Sequence, residues 1–183
     1  MLIVVTGGSG SGKSVYAENY SENFSTKMLY YIATMMPYDT ECLERIKRHQ
    51  FQRKEKGFTT LECYKDLETV NLEPNSTVLL ECMSNLLANV MFSEDKIIAN
   101  EAENSNKNVK DCICDYILNG INHLIVHVEN LIVVTNEVFS DNGSEYKETM
   151  EYIQALGEIN QRLALKADRV YEVVCGIPVL LKG

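Results

Sequence analysis

Eight residues near the amino terminus, Gly7-Gly8-Ser9-Gly10-Ser11-Gly12-Lys13-Ser14, fit the pattern G-x-x-x-x-G-K-[ST]. Glycines at these positions let backbone N–H groups converge on a phosphate without Cβ obstruction, and a following helix adds partial positive charge. In that chemistry Lys13 bridges the β- and γ-phosphates of a nucleotide and Ser14 ligates Mg²⁺. The flanks suit it: the apolar run Leu2–Thr6 precedes the loop, and a helix-period segment from Lys13 to about Asn23 follows. The competing reading is a flexible Gly/Ser loop, which the flanking elements weaken. Glu81 ends a second apolar run, Thr77–Glu81, where P-loop enzymes place a carboxylate to hold or position the magnesium. Its competing reading is an ordinary strand-end carboxylate.

A second concentration of chemistry lies at residues 45–56, which read Arg-Ile-Lys-Arg-His-Gln-Phe-Gln-Arg-Lys-Glu-Lys and hold six of the chain's 17 basic residues. Arg45, His49 and Arg53 stand at i, i+4 and i+8, so a helix puts them on one face. Flanking cations favour an uncharged imidazole, whose ring nitrogen is a nucleophile, and the same cations can neutralise a triphosphate. The alternative is a solvated basic helix face with an incidental histidine. Glu62 ends a short strand-like run, Phe58–Glu62, where a carboxylate could accept from N1–H and N2–H of a guanine; plain surface exposure is the alternative. His123 and His127 have metal-ligand spacing but no third ligand nearby, so a structural role is expected. Asn136 and Glu137 directly follow the strand-like Leu131–Thr135 and could touch substrate or merely shape a loop.

The elements that must position these residues alternate along the chain. Strand-like runs fall at Leu2–Thr6, Met28–Ala33, Phe58–Glu62, Thr77–Glu81 and Leu131–Thr135, with a terminal pair at Arg169–Cys175 and Val179–Leu181. Helical patterns fall at Lys13 to about Asn23, Asp39 to about Lys54, Ser84–Phe92, Val109–His127 and Ser144–Ala167, while Ser93–Lys107 reads as a loop or a frayed helix start. Continuous rather than alternating apolar strands imply burial on both faces. The expectation is α/β: one domain spanning residues 1–183, with a mainly parallel sheet flanked by helices. The closing Val-Cys-Gly-Ile-Pro-Val run adds an antiparallel edge strand.

A net charge of −9 argues against a nucleic-acid partner, which requires an excess of Lys and Arg. Six cysteines without a CxxC pair suggest neither a disulfide framework nor a zinc site, and Cys82 and Cys175 read as small buried hydrophobes. Met1–Thr6 is too short for a signal-peptide core, and no apolar stretch reaches membrane-spanning length. Cytoplasmic residence is the expectation.

Motifs along nearly the whole chain resemble the bifunctional adenosylcobinamide kinase / adenosylcobinamide-phosphate guanylyltransferase family of cobalamin biosynthesis. They comprise V-T-G-G-x-x-S-G-K-S at Val5–Ser14, Y-I-A-T at Tyr31–Thr34, R-I-x-x-H-x-x-x-R at Arg45–Arg53 and T-x-E-C at Thr60–Cys63. They continue with L-L-E-C at Leu79–Cys82, V-T-N-E-V at Val134–Val138, N-Q-R-L-A at Asn160–Ala164 and the Ala-Asp-Arg-Val…Gly-Ile-Pro ending. The resemblance implies a P-loop fold, often a homotrimer, and two reactions. The first phosphorylates the aminopropanol hydroxyl of adenosylcobinamide with ATP or GTP; the second transfers GMP from GTP to that phosphate. It further implies that His49 carries GMP as a phosphoramidate with Lys13 at the phosphates. The implied nucleotide contacts are Gly7–Ser14, Thr34, Met35, Met36, Gln50, Phe51, Gln52, Arg53, Glu62 and Glu81, with Mg²⁺ on Ser14 and Glu81. Three departures stand out: Phe139–Ser144 replaces a Gly-rich, Pro-containing loop, Met35-Met36-Pro37 replaces small and polar residues, and no proline follows Arg53. The alternative function is a P-loop small-molecule kinase without guanylyl transfer.

Overall fold

Apolar residues of alternating parity sort the strands into two faces. The computed structural model describes residues 1–53, 55–94, 97–138 and 146–183, excluding the side chains of 41, 45, 52, 97, 99 and 101. In chain order the elements are β1 (Leu2–Thr6), α1 (Lys13–Ser21), β2 (Met28–Ala33), α2 (Thr40–Arg53), β3 (Thr59–Glu62), β4 (Ser76–Glu81) and α3 (Met83–Met91). Then follow α4 (Ile97–Ser105), α5 (Val109–His127), β5 (Asn130–Val134), α6 (Lys147–Lys166), β6 (Arg169–Val174) and β7 (Ile177–Lys182).

The strands form one seven-stranded sheet in the order β3-β2-β4-β5-β1-β6-β7. Every neighbouring pair is parallel except β6 and β7. Ile3, Val5, Tyr31, Leu79, Ile132 and Val134 pack on one face with Ala17 of α1. Leu2, Val4, Ile32, Val78, Leu80 and Leu131 pack on the other, against α3, α5 and α6. Both faces are therefore dry, which is why these strands read as unbroken apolar runs.

Three local expectations are corrected. Residues 97–105 form the helix α4 rather than a loop or frayed start. Its polar sequence hides a short inward stripe, with Ala102 buried and Ile98 packed on the main core cluster. Cys175 is exposed rather than buried, because the strand ends at Val174 and Cys175-Gly176 form a two-residue turn with φ of 51° and 79°. β7 runs through Pro178 instead of starting after it; at an edge, proline's missing donor costs no ladder bond. The expected start of the last long helix at Ser144, and the loop 139–144, lie outside the described residues.

Candidate active site

Parallel strands deliver their carboxyl ends to one rim, and the predicted chemistry gathers there. The P-loop leaves β1 and is pinned from two sides. Glu137 N–H donates to Gly7 O at 3.1 Å, and Gly176 N–H in the β6–β7 turn donates to Ser11 O at 2.8 Å. Gly12 has φ of 91°, and a Cβ there would stand 3.2 Å from Gly176 Cα. Glycine is thus required by both backbone conformation and close approach. Lys13, the first residue of α1, is buried and donates to Gly8 O at 3.1 Å, folding its ammonium back over the loop.

Ser14 Oγ donates to Glu81 Oε1 across the rim, while Glu81 Oε2 is buried and has no partner among the described residues. A hydroxyl beside a carboxylate with a spare buried oxygen fits a hard divalent cation that also takes phosphate and water oxygens. Tyr31, beneath this pair, has its phenol pushed well above the usual range by burial and then by the Glu81 carboxylate.

Asp39 caps α2, its Oδ1 accepting from Cys42 N–H at 2.7 Å. The other end of α2 docks on the α1 face of the sheet. Arg53 lies 3.7 Å from Glu18 of α1 and stacks over Tyr31, and Lys56 donates to Glu18 at 3.0 Å. This anchorage brings His49 to the cleft, with Nδ1 buried and unpaired among the described residues. The cleft has a volume of about 570 Å³ and runs from the P-loop past His49 to Glu62.

The model of the cobinamide kinase / cobinamide phosphate guanyltransferase family matches residues 3–181. The chain belongs to that family. The bifunctional adenosylcobalamin biosynthesis protein CobU of Salmonella typhimurium is 33% identical over 189 residues, covering 100% of both chains. The Escherichia coli protein of the same name is 33% identical over 187 residues, again with 100% of both covered. The bifunctional protein CobP of Pseudomonas aeruginosa is 26% identical over 185 residues, covering 100% of this chain and 98% of the relative. Solved structures share the fold at lower identity. The flagellar accessory protein FlaH from Methanocaldococcus jannaschii has a TM-score of 0.50 at 15% identity, covering 99% of this chain and 77% of that one. An ATPase from a type III secretion system has a TM-score of 0.52 at 9% identity, covering 93% of this chain and 50% of that one. These two likenesses speak to the fold alone.

In this cobinamide kinase / guanyltransferase family member, Ser9 to Ser14, Met35, His49, Gln50, Arg53, Glu62 and Glu81 all line the one cleft. Others among the expected nucleotide contacts stand elsewhere. Gly7 and Gly8 shape the loop from behind: a Cβ on Gly7 would meet Val173 O at 2.6 Å, and Gly8 O accepts from Lys13. Thr34 is fully buried, its hydroxyl donating to Cys82 O at 2.9 Å and accepting from Cys82 N–H at 2.8 Å, so it braces β2 to β4. Met36 does not line the cleft, and Phe51 points into solvent at 80% exposure. The side chains of Arg45 and Gln52 lie outside the described residues. Glu62 accepts from Tyr64 OH at 2.8 Å at the rim.

His123 and His127 sit on α5, where they stack at 4.1 Å and His127 Nδ1 lies 2.8 Å from His123 O. The described residues contain no cluster of three or more metal-ligating side chains. Sequence reasoning missed Ser84, Asn85 and Tyr152, which line the cleft with Asn136. Only Asn136 carried a signal, its place just past a buried strand.

Proposed function

We propose that this chain phosphorylates the aminopropanol hydroxyl of adenosylcobinamide and then transfers GMP from GTP onto the resulting phosphate through a GMP–His49 intermediate. The reading is carried by one cleft holding a P-loop lysine, a hydroxyl–carboxylate pair and an imidazole nitrogen without a partner among the described residues. Family membership supports both reactions.

In the kinase reaction the acceptor oxygen forms a bond to the γ-phosphorus of ATP or GTP, the bond to the β–γ bridging oxygen breaks, and the hydroxyl proton is lost to water. Lys13 and the P-loop amides hold the phosphates and take up developing charge. In guanylylation a ring nitrogen of His49 bonds to the α-phosphorus as the α–β bridge breaks and pyrophosphate leaves toward Lys13. The acceptor phosphate then attacks that phosphorus, the P–N bond breaks, and the imidazole is released. Splitting one transfer into two is covalent catalysis. Ser14 and Glu81 would hold Mg²⁺, which when bound neutralises phosphate charge. Glu62 accepts from the guanine edge at the far end of the cleft.

We also assign this activity to a single cytoplasmic domain, residues 1–183, assembled as a homotrimer. No helix among the described residues is long and apolar enough to cross a membrane. The edge strand β7 supports assembly, since all six of its residues are exposed, Ile177, Leu180 and Leu181 among them.

His49→Ala tests the division of labour. The variant keeps formation of adenosylcobinamide phosphate and loses formation of the GDP-linked product. Loss of both reactions in a folded variant, or of neither, contradicts the assignment.

A further inference from the structure

The cleft has two walls of different origin. The P-loop, α1 and the anchored end of α2 lie on the Tyr31 face of the sheet, and they carry the nucleotide groups. The opposite wall comes from the α3 and α6 face and is polar: Ser84 and Asn85 from the first turn of α3, Asn136 just after β5, and Tyr152 of α6. None of these is needed to grip a triphosphate held by the P-loop.

The wall is held in place by a continuous network. Asn136 Nδ2 donates to Ser84 Oγ at 2.7 Å, and Tyr152 OH donates to Ser84 O at 3.1 Å. Behind them, Asn160 Nδ2 donates to the main-chain oxygen of Asn136 at 3.3 Å, and Thr135 Oγ1 donates to Asn160 Oδ1 at 2.7 Å. Burial pushes the Tyr152 phenol up to about 12, so it stays a neutral donor. Packing alone does not call for such a network. A fixed polar surface facing a cleft does.

The network leaves hydrogen-bonding capacity on the cleft side. With one Nδ2 hydrogen committed to Ser84, the Asn136 carboxamide has its Oδ1 acceptor and its second N–H to offer. The Asn85 carboxamide makes no side-chain hydrogen bond with another described residue, so its donors and acceptor are both available. Two amide groups beside a P-loop form a neutral, mixed donor–acceptor surface.

We propose that Asn136 and Asn85, braced by Ser84 and Asn160, form the subsite for the reacting end of the acceptor. Its ligand is a secondary alcohol in the first reaction and the phosphate monoester of that alcohol in the second. Asn136 Oδ1 accepts from the hydroxyl and aims its oxygen at the γ-phosphorus. Once the acceptor is a phosphate it has no such hydrogen to offer, and the Asn85 amide N–H groups become the matching partners. Neutrality of the wall is essential: an anion there tolerates the alcohol and repels the phosphate.

The inference rests on the kinase and guanylyltransferase reading, and the half-reactions separate the two. GMP–enzyme formation from GTP involves no acceptor, so it reports on the nucleotide wall alone. Asn136→Asp keeps the shape and the acceptor atom, and Ser84 can turn its hydroxyl to donate. We expect this variant to form the GMP–enzyme with wild-type GTP dependence, because that half-reaction involves no acceptor. It should pass GMP to adenosylcobinamide phosphate on the order of tenfold or more slowly. Asn85→Ala, which removes no hydrogen bond within the described residues, should raise KM for adenosylcobinamide phosphate about tenfold without changing GMP–enzyme formation. Wild-type acceptor kinetics in both variants would overturn the subsite, as would an equal slowing of GMP–enzyme formation. A wild-type protein that neither labels nor phosphorylates would instead overturn the underlying functional reading.

Discussion

The guanidinium carbon of Arg53 lies 3.5 Å from the centroid of the Tyr31 ring. Arg53 is only 5% exposed and Glu18, its ionic partner on α1, only 2%. The helix bearing His49 is thus bolted to the helix that begins with Lys13. The distance between the two reactive groups depends on that joint.

Glu18→Gln leaves two cations, Arg53 and Lys56, without their shared carboxylate. Removing one partner of a buried pair costs about 3 kcal/mol, because an uncompensated charge stays buried. Urea unfolding should show a loss of that size, and GMP–enzyme formation should slow more than phosphorylation of the acceptor, since only the former uses His49 of α2. Arg53→Lys should restore little, because a lysine lacks the planar group that stacks on Tyr31.

Gly12→Ala tests the brace between the P-loop and the β6–β7 turn. With φ of 91° and Gly176 Cα 3.2 Å from the added methyl, the loop must move. The backbone cost alone is roughly 1–2 kcal/mol. Both reactions should weaken through nucleotide affinity, read as a raised Kd for GTP by calorimetry. Gly10→Ala meets nothing within 4 Å and carries only the conformational cost at φ of 71°, so it should be milder.

Much of this arrangement is legible in the sequence. The P-loop is contiguous and its chemistry is local, so eight residues suffice to identify it. Met28–Ala33 and Val109–His127 are foreseen to the residue because each carries an uninterrupted pattern of one period. Arg53 illustrates the opposite case. A cation in a basic helix reads as solvated, and nothing in its neighbourhood reveals that Glu18 and Tyr31, distant in sequence, close over it. The polar wall is hidden for the same reason: Ser84, Asn85, Asn136 and Tyr152 come from three segments and meet only when α3 and α6 cover one face of the sheet. α4 escaped because its inward stripe is short, and most of its residues are polar.

Cys114 gives the alkaline limb of stability a specific origin. Burial raises its thiol from an ordinary 9.0 to about 11. The folded state therefore holds the proton more tightly than the unfolded chain. The stability tied to that proton is fully present below pH 9 and is lost as pH rises toward 11. Urea midpoints measured from pH 8 to 11 should fall, and Cys114→Ala should flatten the fall across that window. An unchanged slope would exclude Cys114 as a source.

β7 offers a direct test of assembly. Leu181→Lys places a charge on an exposed edge strand where it costs the monomer little fold stability. Light scattering should show the proposed homotrimer giving way to monomers, with circular dichroism unchanged. A trimer that survives the substitution would place the interface elsewhere.

The most direct test of the account uses GTP labelled in the α-phosphate, incubated with the protein and magnesium in the absence of corrinoid. The account predicts one acid-labile, alkali-stable label per chain, mapped to His49 and discharged onto adenosylcobinamide phosphate when that acceptor is added. A protein that consumes GTP without becoming labelled, or a label that persists in His49→Ala, would contradict it.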